Sequence, residues 1–362
     1  MRKIKIAIIG LGHVHTQGLY REFNQYADEV EWLGMADMEN TPADKTARHI
    51  ELNAGDAKSL RLVKHYGDLL AEGPDLVLCG SGIADHREVG EAALRAGASV
   101  ILEKPMAMCF EDASALYQAH LDSPGELIVN WPVAWFGAFR KAKALADAGR
   151  VGRIVRFQYR TPATLGPYST KGMNPDELKK LWWYQRDAGG GSIMDYAGYS
   201  ATLATWFLGN KQARTVYGVK KNVFIPFSDA EDYSFFMVDY PDALALMEGS
   251  WSTVSSGEIP TGPILYGDEG TLVCDRFSDE VKVYRRYRPY QPCLPPDELY
   301  RTAPLQDNLG RHVLNHLQKG TPLFEMLTAD FNIRAAAVLD AGRTSCETGK
   351  PEQVKIFGGK EQ

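Results

Sequence analysis

The sequence predicts an α/β protein with two parts. The first is a doubly wound parallel sheet; the second is an α+β domain with a large, mostly antiparallel open sheet. Three observations carry this. Up to about residue 130, short apolar runs alternate with helical stretches, the rhythm of parallel strands joined by crossover helices and covered on both faces. Beyond about residue 150, six β-rich stretches follow one another with turns between them. At the amino end, "IAIIGLGHVHT" (6–16) places two glycines directly after an apolar run. The expected domains are residues 1–130 and 131–362.

In the first domain the spacing predicts strands at 3–9, 30–37, 75–80, 99–105 and 126–131, with a weaker one at 62–66. Helices are expected at 13–27, from Thr41-Pro42 onward, at 85–97 with Gly97 as its stop, and at 111–121. Right-handed crossovers then give a nucleotide-binding arrangement. In the second domain, strands are expected at 153–162, 214–225, 232–241, 243–254, 261–275 and 279–287. Tyr240-Pro241-Asp242 reads as a hairpin turn. One helix interrupts this series at about 190–208, and two more follow at about 306–318 and 328–348.

The bulk numbers exclude several classes of function. A net charge of −6 leaves no basic excess to neutralise nucleic-acid phosphates. The basic and aromatic stretch "KVYRRYR" (282–288) reads instead as a strand with one solvated face. Five scattered cysteines, Cys79, Cys109, Cys274, Cys293 and Cys346, form no CxxC pair, which suggests neither a disulfide framework nor a zinc knuckle and fits a reducing cytosol. No run of about 18 apolar residues occurs, and the amino terminus lacks a cleavage site. The expectation is a cytoplasmic protein without membrane or nucleic-acid partners.

The first motif admits two chemistries. Gly10-Leu11-Gly12 suits a dinucleotide loop, whose first glycine makes the turn and whose second lets the backbone approach a pyrophosphate at a helix amino terminus. His13-Val14-His15 resembles the His-x-His pair of metal-dependent hydrolases. Asp37 ends the second strand, where a carboxylate can accept both ribose hydroxyls, and no arginine follows at Met38 or Glu39. That favours NAD over NADP. A metal site needs more than two ligands. Of the remaining histidines only His86 follows an apparent buried strand, and "HVLNH" (312–316) lacks the glutamate of a zinc helix. No metal is expected. His13, Val14 and His15 are read as the cofactor loop, with His15 in the third glycine position.

Two further stretches carry chemistry. In "VILEKPMA" (100–107) a lysine precedes proline at the carboxyl end of a buried strand, where such folds bind ligands. In "GGGSIMDYAGY" (189–199) Asp195 and Tyr199 lie four apart, on one helical face. By spacing alone, a buried amphipathic helix explains the second stretch at least as well.

Together with "HREVGEAALRAGASVILEKPMA" and the ending "LTADFNIRAAAVLDAGRTSCETGKPEQV", these stretches resemble the Gfo/Idh/MocA family of glucose–fructose oxidoreductase and inositol dehydrogenase. The resemblance implies a Rossmann domain, a carboxy-terminal α/β domain with an open sheet, and oxidation or reduction of a sugar or cyclitol carbon with NAD or NADP. It further implies that Gly10 and Gly12 hold the pyrophosphate and Asp37 the adenosine ribose. Ser81, Gly82 and His86 lie near the cofactor, Glu103 touches the nicotinamide ribose, and Lys104 is the active-site lysine. Asp195 positions substrate, and Tyr199 stands where the family more often has a histidine base. That tyrosine argues against the inositol dehydrogenase branch. Trp183 is expected near the nicotinamide, with Asn130, Arg160, Trp183 and Arg186 as substrate contacts. A phenol ordinarily titrates near about 10, so a tyrosine base needs a cation beside it, which Lys104 and the nicotinamide would supply. Relatives that use NAD transiently for elimination or glycoside cleavage, and non-catalytic NAD-binding regulators, are the competing classes; the presence of Lys104 weighs against the latter. As in the family, sheet-to-sheet packing into a homodimer or homotetramer is expected.

Overall fold

The computed structural model describes residues 2–161, 166–168, 171–252, 260–285, 295–303 and 305–358. Cys293, the end of the stretch at 282–288 and the ends of the expected strands at 153–162, 243–254 and 279–287 lie outside them. The chain divides into two compact units, residues 1–131 with 307–333, and residues 132–306 with 334–362.

The first unit is built on β1 (Ile4–Ile9), β2 (Val30–Ala36), β3 (Leu76–Cys79), β4 (Ser99–Glu103) and β5 (Leu127–Asn130). The strands are parallel in the order β2-β1-β3-β4-β5. Helices α1 (Thr16–Asn24), α2 (Ala43–His49), α3 (Tyr66–Ala71), α4 (His86–Arg95) and α5 (Phe110–Leu121) connect them. Every residue of β3 and β4 is buried, which explains why their sequences are continuous apolar runs rather than alternating ones. The expected strand at 62–66 is absent: Leu62 makes a single bridge to Met35, and Tyr66 already opens α3. The segment pairs with the edge strand β2 at that point alone, where Met35 donates its N–H to the Arg61 carbonyl and accepts the Val63 N–H, both at 2.8 Å, before the chain turns into α3. The strand order reverses at β1, between β2 and β3. Ligands of open parallel sheets bind at such a switch point, outside the carboxyl ends of the strands.

The second unit contains α6 (Gly137–Asp147), β6 (Ile154–Arg160), α7 (Pro175–Leu178), α8 (Gly198–Phe207), β7 (Thr215–Lys221), β8 (Tyr233–Tyr240) and β9 (Ala243–Ser250). β10 (Ile264–Gly267), β11 (Thr271–Asp275), β12 (Glu280–Tyr284) and β13 (Glu298–Arg301) follow. With β14 (Glu352–Gln353) they form a nine-stranded sheet in the order β13-β12-β11-β10-β6-β9-β8-β7-β14. All pairs are antiparallel except β6 with β9. Burial alternates along β8 and β9, so one face is core. On that face α6 packs against β11 and β12, and α8 against β6 and β9. The other face stays apolar and open along β7 and β8, where Tyr217, Val219 and Met237 are exposed.

The late helices are α9 (Leu309–Lys319) and α10 (Ala329–Thr348). The sequence assigns everything after 130 to the second domain, but residues 307–333 belong with the first unit. The reason is side-chain pairing onto α1 and the turn after it. Arg311 forms a two-pronged ion pair with Glu29, at 2.7 and 3.2 Å, and its guanidinium lies 4.0 Å from the centre of the Tyr26 ring. No helix among the described residues is long and apolar enough to cross a membrane.

Candidate active site

In the first unit the loop after β1 is shaped against the loop after β3. Gly10 has a φ of +80°, and a Cβ there would lie 2.6 Å from the backbone nitrogen of Ser81. Only glycine meets both demands. The His13 N–H donates to the Gly80 carbonyl at 2.8 Å, and the Thr16 hydroxyl donates to the His13 carbonyl at 2.8 Å, which starts α1. The loop after β1 thus packs against Gly80 and Ser81 of the loop after β3, beside the amino end of α1 and at the switch point.

Asp37 stands at the end of β2, and its carboxylate is buried. Its Oδ1 accepts the N–H groups of Leu11 (3.1 Å) and Met38 (3.0 Å), and its Oδ2 accepts Nδ1–H of His49 at 2.8 Å. Burial alone would raise this carboxyl, but His49 and the two amides outweigh it and hold it below its ordinary value.

Glu103 and Lys104 close β4, both buried, and the peptide between Lys104 and Pro105 is cis. The Glu103 Oε1 accepts Nδ2–H of Asn130, its register partner on β5, at 2.9 Å. Its Oε2 pairs with the His15 Nδ1 at 2.9 Å. Burial pushes this carboxyl up, yet His15, His13 and Asn130 together bring it down to about 2, so it is ionised. His86 Nδ1 meets the Pro105 carbonyl at 3.1 Å, fastening the Lys-Pro turn, and burial lowers the imidazole to about 4.

His13, His15 and Glu103 lie close enough to hold a metal ion, their ligand atoms within 4.8 Å of one another. Proton placement speaks against that use. The His13 Nδ1 accepts the backbone N–H of His15 at 3.0 Å, and burial keeps the ring neutral, so Nε2 carries the proton. Neither nitrogen is then bare, as a metal ligand must be. Lys104 also acts electrostatically on His13, and a cation is a poor neighbour for a metal. His15, in the third glycine position, ties the loop to the acid of the Glu-Lys-Pro turn.

In the second unit, Asp195 lies in a π-helical turn (Ile193–Ala197), and Tyr199 in the first turn of α8. Such turns are rare and concentrate at functional sites. The Asp195 Oδ2 accepts Nε1–H of Trp251 at 2.9 Å. Asp195 is buried and Tyr199 half-buried, its ring 6.1 Å from that of Tyr196. The glycines before the turn are dictated by packing: Gly191 has a φ of +103°, and a Cβ there would lie 2.3 Å from the Glu231 carboxylate. Glu231 in turn accepts the Ile193 N–H at 3.0 Å, fixing the entry to the turn. Trp183 is buried and stacked on Trp182 at 3.9 Å. Arg186 is exposed and fastened to Asp229, through its backbone N–H and its guanidinium, both at 2.8 Å. Arg160 ends β6 half-buried and interacts with Glu248 on β9.

Sequence reasoning missed His49, Trp251 and Glu231. His49 is one of several histidines on polar helices, and Trp251 and Glu231 reach their partners from 56 and 38 residues away. Nothing local marks any of them.

The glycine turn, the buried carboxylate and the switch point define a Rossmann dinucleotide-binding fold, joined here to an open-sheet α+β unit. Residues 4–130 match the oxidoreductase family with NAD-binding Rossmann fold, and residues 139–273 match the GFO/IDH/MocA carboxy-terminal domain. The chain belongs to the Gfo/Idh/MocA family. It is similar to levoglucosan dehydrogenase of Pseudarthrobacter phenanthrenivorans (28% identical, over 54% of this chain and 44% of that protein). It is also similar to 1,5-anhydro-D-fructose reductase of Ensifer adhaerens (27% identical, over 65% of this chain and 66% of that one). These alignments thus span less than two-thirds of each relative. Among solved structures, the aldose-aldose oxidoreductase of Caulobacter crescentus, complexed with glycerol, shares the fold with a TM-score of 0.73, 21% identity, and coverage of 97% of this chain and 100% of that one.

Proposed function

We propose that this protein is an NAD-dependent oxidoreductase that moves a hydride between nicotinamide and a secondary alcohol or ketone carbon of a sugar or sugar derivative. The observation that carries the reading is the Glu103–Lys104 pair, buried at the carboxyl end of β4 beside the glycine loop. Burying such groups is costly unless they are paired or used. The names of the levoglucosan dehydrogenase and anhydrofructose reductase relatives support a sugar-like substrate.

NAD, when bound, supplies hydride acceptance and donation. The loops containing Gly10, Gly12, His13, Val14, Ser81 and Gly82 would hold it, with Asp37 at the adenosine ribose, Glu103 at the nicotinamide ribose and Trp183 beside the nicotinamide. His86 would act through the Pro105 carbonyl. Lys104 donates to the oxygen on which negative charge develops. Tyr199 takes the hydroxyl proton in oxidation and returns it in reduction, and Asp195 orients the substrate. Asn130, Arg160, Trp183 and Arg186 are the proposed substrate contacts.

Asp37 favours NAD, since a 2′-phosphate would meet its charge. Asp85, which interacts with Asp37, adds a second carboxylate to that corner. The open apolar face of β7 and β8 supports a homodimer or homotetramer formed sheet to sheet; a 40 kDa particle in light scattering at micromolar concentration would refute it. A cytoplasmic location is supported by four free cysteines among the described residues, Cys79, Cys109, Cys274 and Cys346.

The test is a screen for NADH release over sugars, cyclitols and glycosides. Release with at least one class is expected. Consumption of substrate without NADH and without added NAD would replace the reading with transient, non-redox use of the dinucleotide.

A further inference from the structure

The surroundings of Asp37 leave it too few lone pairs for the task that the sequence assigns to it. A carboxylate has about four acceptor positions, two on each oxygen. Both on Oδ1 are taken by the N–H groups of Leu11 and Met38, and one on Oδ2 by His49. One position remains, whereas a ribose diol brings two hydroxyl donors. The second acceptor is already beside it. A carboxylate only accepts, so the His49 proton that meets Asp37 sits on Nδ1; in the neutral imidazole the other nitrogen, Nε2, is an acceptor. The ring also lies against the glycine loop. A Cβ built on Gly12 would stand 3.4 Å from the His49 Cε1 and 3.7 Å from its Nε2. The position is fixed from behind: His49 ends α2, and Asn53, in the following turn, donates to the Leu11 carbonyl at 2.9 Å.

We infer that His49 contacts the dinucleotide, taking one hydroxyl of the adenosine ribose while Asp37 takes the other, so that an Asp37–His49 pair rather than Asp37 alone reads that sugar. This rests on the reading that NAD binds at the glycine loop. It makes His49 a specificity determinant for the adenosine half, and it assigns no part in the hydride step to that residue.

Calorimetric titration of the whole protein with NAD, 2′-deoxyadenosine-NAD and 3′-deoxyadenosine-NAD tests it. His49→Phe keeps the ring volume and removes both nitrogens; His49→Gln keeps a donor and an acceptor. Loss of one hydrogen bond is worth about tenfold in affinity. His49→Phe should therefore weaken NAD binding about tenfold, and His49→Gln less. The decisive readout is the cycle between variant and analogue. For one of the two deoxy analogues, wild type and His49→Phe should bind within about twofold of each other, because the hydroxyl that His49 accepts is gone. Equal losses for NAD and both analogues would mean that His49 only supports the loop, and would overturn the inference, as would unchanged NAD binding by His49→Phe. Wild type that binds no NAD at all would overturn the dinucleotide reading itself, an outcome separate from the other two.

Discussion

Each unit holds one buried carboxylate of the proposed chemistry, and the two are held in opposite ways. Glu103 is fixed at the carboxyl edge of a parallel sheet, by its register partner Asn130 on β5 and by His15 from the loop after β1. Asp195 is fixed by an indole 56 residues further along the chain, and sits in a π-helical turn instead of on a strand. A parallel sheet delivers its strand ends to one edge, so the first arrangement follows from the topology. The second depends on how an antiparallel sheet and a helix pack. A lesion in the first unit should therefore act through charge and protonation, and one in the second through placement.

The largest effects should come from the residues assigned to the chemistry. Lys104→Ala should lower turnover by at least as much as Tyr199→Phe, for which general acid–base catalysis sets about 10²–10⁴-fold. NAD affinity, measured by titration, should stay near wild type in Tyr199→Phe. Full activity of Tyr199→Phe across the pH range would reduce that side chain to core packing and leave the second unit with placement alone.

Protonation should mark the first unit. His86 is lowered from 6.5 to about 4, and Glu103 from 4.5 to about 2. Each binds fewer protons folded than unfolded within its window, so stability rises with pH there. The contribution from His86 is lost as pH falls from about 6.5 to 4, and that from Glu103 between about 4.5 and 2. Each is worth on the order of 3 kcal/mol at most. His86→Gln should flatten the melting temperature of the protein across the upper window, with His13, also lowered by burial, supplying the slope that remains. An unchanged slope would show that these groups do not set acid stability.

Trp251→Phe sharpens the other side of the comparison. It removes the donor to the Asp195 Oδ2 while keeping an aromatic side chain. Leaving a buried acceptor short of a bond costs about 1–3 kcal/mol, so kcat/KM should fall roughly ten- to hundredfold. Asp195→Asn combined with Trp251→Phe should cost less than the sum of the two. Strict additivity would mean that the indole and the carboxylate act separately. The smallest effect is expected for Asp37→Ser, which should narrow the preference for NAD over NADP about tenfold in paired titrations by removing one repulsive charge.

The sequence by itself determined the parallel sheet, the order of its strands along the chain, the glycine turn and the Glu-Lys-Pro turn. These are local: an apolar run, a turn residue and a strand end are written in consecutive letters. It did not reveal that 62–66 forms no strand, because apolar residues in a short segment do not say how far the chain follows an edge: here it makes one bridge to β2 and then turns into α3. It misplaced residues 307–333, because the contacts of α9 with Glu29 and Tyr26 join positions about 280 residues apart. Tertiary structure alone placed His49 on Asp37, Trp251 on Asp195 and Glu231 under Gly191. The physical reason is the same in each case: a buried charge or N–H must find a partner wherever the packed chain brings one, and that partner leaves no periodic trace in the sequence.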